Sequence, residues 1–137
     1  MRKITKPLIA ILLIAVLSMT SVTAFASDEG PSPRLSHMSN GSFSFAATSD
    51  GGYVDVAYHG YDSFVRADLT VKIEKNFLFF WWNEIDTWSA SSTELDGEFY
   101  TTIPLDGSGT YRALFTLKIT GNDGTVDTIE RTIESKY

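Results

Sequence analysis

From Val65 onward the chain alternates. Val65, Ala67, Leu69, Val71 and Ile73 fall on one side of an extended backbone, and Arg66, Asp68, Thr70, Lys72 and Glu74 on the other. Successive side chains change face only in a strand, so this spacing predicts a strand with one dry and one wet face. A helix would scatter the same residues around its circumference. The period of two recurs in Phe43, Phe45 and Ala47, breaks at Asp50-Gly51-Gly52, and resumes in Val54, Val56 and Tyr58. Phe99, Thr101 and Ile103 predict a short strand between Asp96-Gly97 and Pro104. Tyr111, Ala113, Phe115, Leu117 and Ile119 predict a long one, in which Leu114 is an apolar residue on the polar side. Gly121-Asn122-Asp123-Gly124 reads as a hairpin loop, and Thr125 to Glu134 as the last strand on its Thr, Val and Ile content. About seven short strands joined by Gly/Asp turns, with no helical segment after the first residues, predict an all-β domain. Strands that are wet on one face bury the other against a second sheet, so the predicted architecture is a two-sheet antiparallel β-sandwich.

Gly109-Thr110-Tyr111-Arg112-Ala113 resembles the start of the penultimate strand in immunoglobulin-like and fibronectin-type sandwiches. The resemblance implies an immunoglobulin-like fold over about Ser42 to Glu134, with the Tyr111 hydroxyl bonded back to the preceding corner. Ala113 stands where antibody-type domains carry a cysteine, so the resemblance is to a disulfide-free variant. The whole chain also resembles the small secreted proteins common in Gram-positive bacteria, which implies a fold and a compartment and no particular activity.

Phe77-Leu78-Phe79-Phe80-Trp81-Trp82 cannot all be inside a one-sided sheet. One threading continues the strand past Glu74 and points Phe77, Phe79 and Trp81 inward. The other turns at Lys75-Asn76, pointing Leu78, Phe80 and Trp82 inward and Phe77, Phe79 and Trp81 outward. The second is favoured, because an unbroken strand from Phe64 to Trp88 would span roughly 80 Å at ~3.3 Å per residue. Either way several rings lie outside the main core, and Trp88 adds another. Two readings stay open. In the commoner one these rings close the open end of the sandwich or lie under the leader. In the other they form an exposed patch that binds a partner through Phe77, Phe79, Trp81, Trp82 and Trp88.

The first residues set the compartment. Arg2, Lys3 and Lys6, the apolar run Leu8 to Leu17, and Ala24-Phe25-Ala26 have the order of a secretory signal, residues 1–26. That run is shorter than the ~20 apolar residues of a spanning helix. Residues 27–40 read as a flexible leader and 41–137 as the sandwich domain. Cleavage would leave 111 residues carrying eight basic and seventeen acidic side chains, a formal charge of −9. Such a chain repels phosphates, so nucleic acid and anionic lipid are poor partners, and no stable membrane insertion is expected. No cysteine is present, so no disulfide, thiolate metal site or cysteine nucleophile can exist.

Chemistry is otherwise thin. His37 falls in the leader and His59 at a strand end, and no nucleophile-elbow motif accompanies either. Glu84, Asp86, Glu94, Asp96 and Glu98 read as a solvated acidic strand pair rather than a catalytic pair in a cleft. The expectation is a secreted, non-enzymatic binding module for an extracellular protein or glycan, with no catalytic residue, metal or cofactor. A structural extracellular component, or a small secreted membrane-active effector, is the alternative.

Overall fold

The computed structural model describes residues 35–137; the predicted signal and most of the predicted leader lie outside the described residues. The strands are β1 (Met38–Thr48), β2 (Gly51–Gly60), β3 (Phe64–Phe77), β4 (Trp81–Ser92), β5 (Asp96–Ile103), β6 (Thr110–Gly121) and β7 (Val126–Lys136). One sheet has the order β1-β2-β5 and the other β4-β3-β6-β7, every pair antiparallel. This is the two-sheet antiparallel sandwich that the alternation predicts. The fourth strand joins β3, so it lengthens the second sheet instead of pairing with β5.

The core is the sum of the dry faces. Phe45, Val54, Val56, Tyr58 and Phe99 from the first sheet meet Leu69, Val71, Ile73, Tyr111, Phe115, Leu117 and Ile119 from the second. Phe43 meets Phe115 edge to face across the gap, with ring centroids 5.4 Å apart. Among the described residues every buried apolar side chain falls between Met38 and Ile129, so a chain beginning at Ser27 contains all of these core residues. Along one side, Ala47 of β1 donates its N–H to the Ser135 hydroxyl of β7 at 2.9 Å. Along the other side β4 and β5 barely touch, and Ile85, Trp88 and Ala90 of β4 lie partly buried against the core.

Three departures from the predicted pattern have local causes. Val65 is exposed, because β3 bulges between Phe64 and Arg66 and the extra residue leaves the dry face. The turn after β3 lies at Leu78-Phe79-Phe80, beyond Lys75-Asn76. And β1 begins at Met38, inside the stretch read as leader. Met38 and His37 are buried there, and Asp127 accepts the backbone N–H groups of Ser36 and His37 at 2.9 and 2.7 Å.

Tyr58 shows why a glycine stands in β5. Its ring lies across Gly97, where an added Cβ would come within 2.3–2.4 Å of three ring and hydroxyl atoms. Phe64 and Phe99 flank the ring, and its hydroxyl donates to the Glu94 carbonyl at 2.6 Å. Burial raises its pKa above the ordinary 10.0. The folded state therefore holds this proton more tightly than the unfolded chain does. The resulting stability is complete below pH 10 and is lost as pH climbs through the folded value. Urea midpoints measured from pH 9 to 11.5 are expected to fall more steeply for the wild type than for Tyr58→Phe. Parallel slopes would show that Tyr58 titrates as a solvent-exposed phenol.

Candidate functional site

The last pair joining β3 to β6 is Lys75 with Tyr111, while β3 and β4 go on pairing as far as Phe77 with Trp81. Residues 76–82 therefore form a two-stranded ribbon that outruns the sheet by about 10 Å at ~3.3 Å per residue. Its end is entirely apolar. Phe77, Leu78, Phe79, Phe80 and Trp81 are 51, 64, 92, 85 and 66% exposed. Taking about 200 Å² for each large side chain, the five offer on the order of 700 Å² to solvent. The largest apolar patch on an ordinary monomer is about 300–600 Å².

The turn itself is strained. Leu78 and Phe79 have φ values of 51° and 66°, in the left-handed region that bulky residues rarely enter. Hairpin turns that hold two successive residues in this region favour Asn-Gly or Asp-Gly, at little steric cost. Here two large apolar side chains occupy it.

Both faces of the ribbon's base are fastened. On the outer face Arg112 Nε donates to Glu74 Oε1 at 2.6 Å, and the guanidinium lies 4.2 Å from the centroid of the Trp82 ring. On the other face the Lys75 ammonium donates to the Asp106 carbonyl and sits 5.4 Å from the Tyr111 ring centroid. Tyr111 stacks in turn on Tyr137, and its hydroxyl donates to the Gly107 carbonyl at 2.5 Å. That is the back-bond to the corner that the sequence resemblance implies. The tip thus projects from a well-held root.

Of the five candidate residues, Phe77, Phe79 and Trp81 come together at the tip. Trp82 stands just behind them, half-buried beneath Arg112. Trp88 lies elsewhere, paired with Val71 and partly buried against the core, so it adds nothing to the patch. Leu78 and Phe80, expected to point inward, belong to the patch instead, because alternation stops where the turn begins.

The remaining polar groups do not converge. His37 Nδ1 is 2.8 Å from Ser63 Oγ and Nε2 is 2.6 Å from Thr125 Oγ1. The ring is buried against Gly121, where a Cβ would lie 2.1 Å from it, so it faces no cleft and acts as a clasp for the start of β1. His59 is exposed and bonds Asp96. The Thr125 hydroxyl and backbone N–H hold the Asp123 carboxyl below its usual range. On the outer face of the first sheet, the neighbouring Asp55 carboxylate, through hydrogen bonding and charge, raises the Glu98 carboxyl. A hollow of about 380 Å³ lined by Arg66, Ser91, Ser92, Thr93 and Glu94 lies open to solvent.

No protein-family model matches the chain, and no curated protein matches it. Among solved structures, the chain is similar to the crystal structure of Parabacteroides merdae β-glucuronidase, with 12% identity and a TM-score of 0.35. The similarity covers 76% of this chain and 14% of that one, so the chain spans about a seventh of that enzyme's length.

Proposed function

We propose that the protein is a secreted, non-enzymatic binding module of the immunoglobulin-like or fibronectin-type kind, and that the β3–β4 tip is its contact element. One observation carries this reading: five consecutive large apolar side chains are exposed around a turn in which two of them, Leu78 and Phe79, hold a backbone conformation that bulky residues disfavour. Nothing in the folding of the sandwich requires them, because the turn closes more easily with small polar residues. Solvent exposure of that area has a cost in solubility that a contact would relieve. The strand order and the Tyr111 back-bond support the family assignment. Secretion rests on the order of basic, apolar and small residues at the start of the sequence.

The test is a screen of the Ser27–Tyr137 chain on arrays of extracellular proteins and glycans, beside the same chain carrying Leu78→Asn and Phe79→Gly. Binding that is lost in the double variant, with the fold retained by circular dichroism, is the expected result. A partner captured equally well by both chains would move the site away from the tip. Self-association that survives the double variant would favour a structural role.

A further inference from the structure

We infer that the tip seats in the outermost layer of a lipid bilayer whose headgroups carry no net charge, an inference that rests on the tip being the binding element and names what it binds. Shape is the first argument. The five side chains surround the end of a projecting ribbon, so no single flat surface can cover them. Two such convex ends meeting tip to tip would cover only part of each. A sugar face needs polar side chains beside the stacking ring, and none stands between Phe77 and Trp82. A fluid apolar layer closes around a convex tip without requiring a matching shape.

The order of residues behind the tip is the second argument. Asn76 and Asn83 are uncharged, and Lys75 is the only charge among residues 75–83. The first carboxylates on the two strands are Glu74, bonded to Arg112, and Glu84, which accepts from the Thr87 hydroxyl at 2.5 Å. Each stands three residues behind the paired Phe77 and Trp81, about 10 Å back along the strands at ~3.3 Å per residue. That is about one Debye length at physiological salt, so the acidic body is largely screened from the headgroups. Trp81 and Trp82 mark the boundary between apolar tip and polar collar, the level at which tryptophans gather in membrane proteins.

Depth is limited by the backbone. The ribbon pairs its own peptide groups up to Phe77 and Trp81, which leaves the turn at Leu78-Phe79-Phe80 to reach the acyl boundary. From Phe77 to Phe79 is about 7 Å, within the ~5–10 Å reached by interfacial elements. Such an anchor is reversible, with an association constant on the order of that of one myristoyl chain, ~10⁴ M⁻¹.

The experiment uses the Ser27–Tyr137 chain with phosphatidylcholine vesicles, read by flotation, by tryptophan emission and by quenching with brominated acyl chains. The wild type is expected to float, with emission shifted to the blue and quenched. The Phe79→Asn, Phe80→Ser chain should bind more weakly by about tenfold for each phenylalanine removed, with a thermal midpoint no lower than the wild type's, since Asn enters the left-handed region at 79 more easily than Phe. Replacing a third of the lipid by phosphatidylglycerol should weaken wild-type binding at low salt, where the acidic body is no longer screened. Equal partition of wild type and variant, no flotation at millimolar lipid, or binding confined to anionic vesicles would each overturn the lipid assignment. If vesicles fail while an arrayed protein or glycan is held in a tip-dependent way, the lipid assignment falls and the binding tip stands. If neither is held, both fall.

Discussion

A chain carrying Leu78→Asn and Phe79→Gly is expected to melt above the wild type by about 5–10 °C. The left-handed conformation costs a bulky residue about 1–2 kcal/mol, and two such residues stand side by side. Asn and Gly enter that region freely, although glycine returns about 0.5–1 kcal/mol through the extra freedom of the unfolded chain. Packing lost at the two positions is small, since Phe79 is almost fully exposed and Leu78 mostly so. The net gain is therefore about 1–2 kcal/mol, and in a domain near 100 residues each kcal/mol moves the midpoint by about 4–8 °C. Calorimetry decides the matter. A midpoint at or below the wild type would mean that Leu78 and Phe79 support the fold, and the reading of the tip as a contact element would fail. A higher midpoint with lost binding is the pattern of a site where stability has been given up for contact.

The same turn explains how much of this protein the sequence discloses. Where local rules and fold agree, the strands are legible. The dry face of β6 reads straight from Tyr111 to Ile119, and the resemblance around Tyr111 anticipates its bond to Gly107. Where contact chemistry overrides turn chemistry, they are not. Asn76 looks like the turn residue, and nothing among Leu78, Phe79 and Phe80 announces a turn. The exposure of Leu78 and Phe80 was hidden by that misplaced turn, since residues read as alternating along a strand in fact form the turn, where alternation stops. The bulge at Val65 is equally silent, because a valine at a strand start fits the dry face as well as the wet one. His37 escaped notice for another reason. Its partners Ser63, Thr125 and Asp127 lie 26 to 90 residues away, and only a polar residue on the inner side of β7, Asp127 opposite Ile119, hints that something docks there.

Phe115→Ala is expected to lower the stability of the domain by about 3–5 kcal/mol, whereas Phe79→Ala leaves it unchanged or slightly raised. Phe115 is almost wholly buried in the middle of β6, beside Val71 of β3 and edge-on to Phe43 of the facing sheet. Its removal leaves a cavity between two sheets whose strands are hydrogen-bonded on both sides of it, so the backbone cannot collapse into the gap. Phe43, partly buried with Arg131 near its ring, should fall between the two. With no disulfide to hold the chain and a total stability of about 5–15 kcal/mol to draw on, the loss at Phe115 is a large fraction of the whole. Urea unfolding of the three variants measures the series directly. Composition alone does not distinguish these phenylalanines, so an equal loss at Phe79 and Phe115 would place the aromatic tip inside the cooperative fold. A loss confined to Phe115 leaves Phe79 with no structural work, and its cost to solubility then has to be balanced by whatever the tip touches.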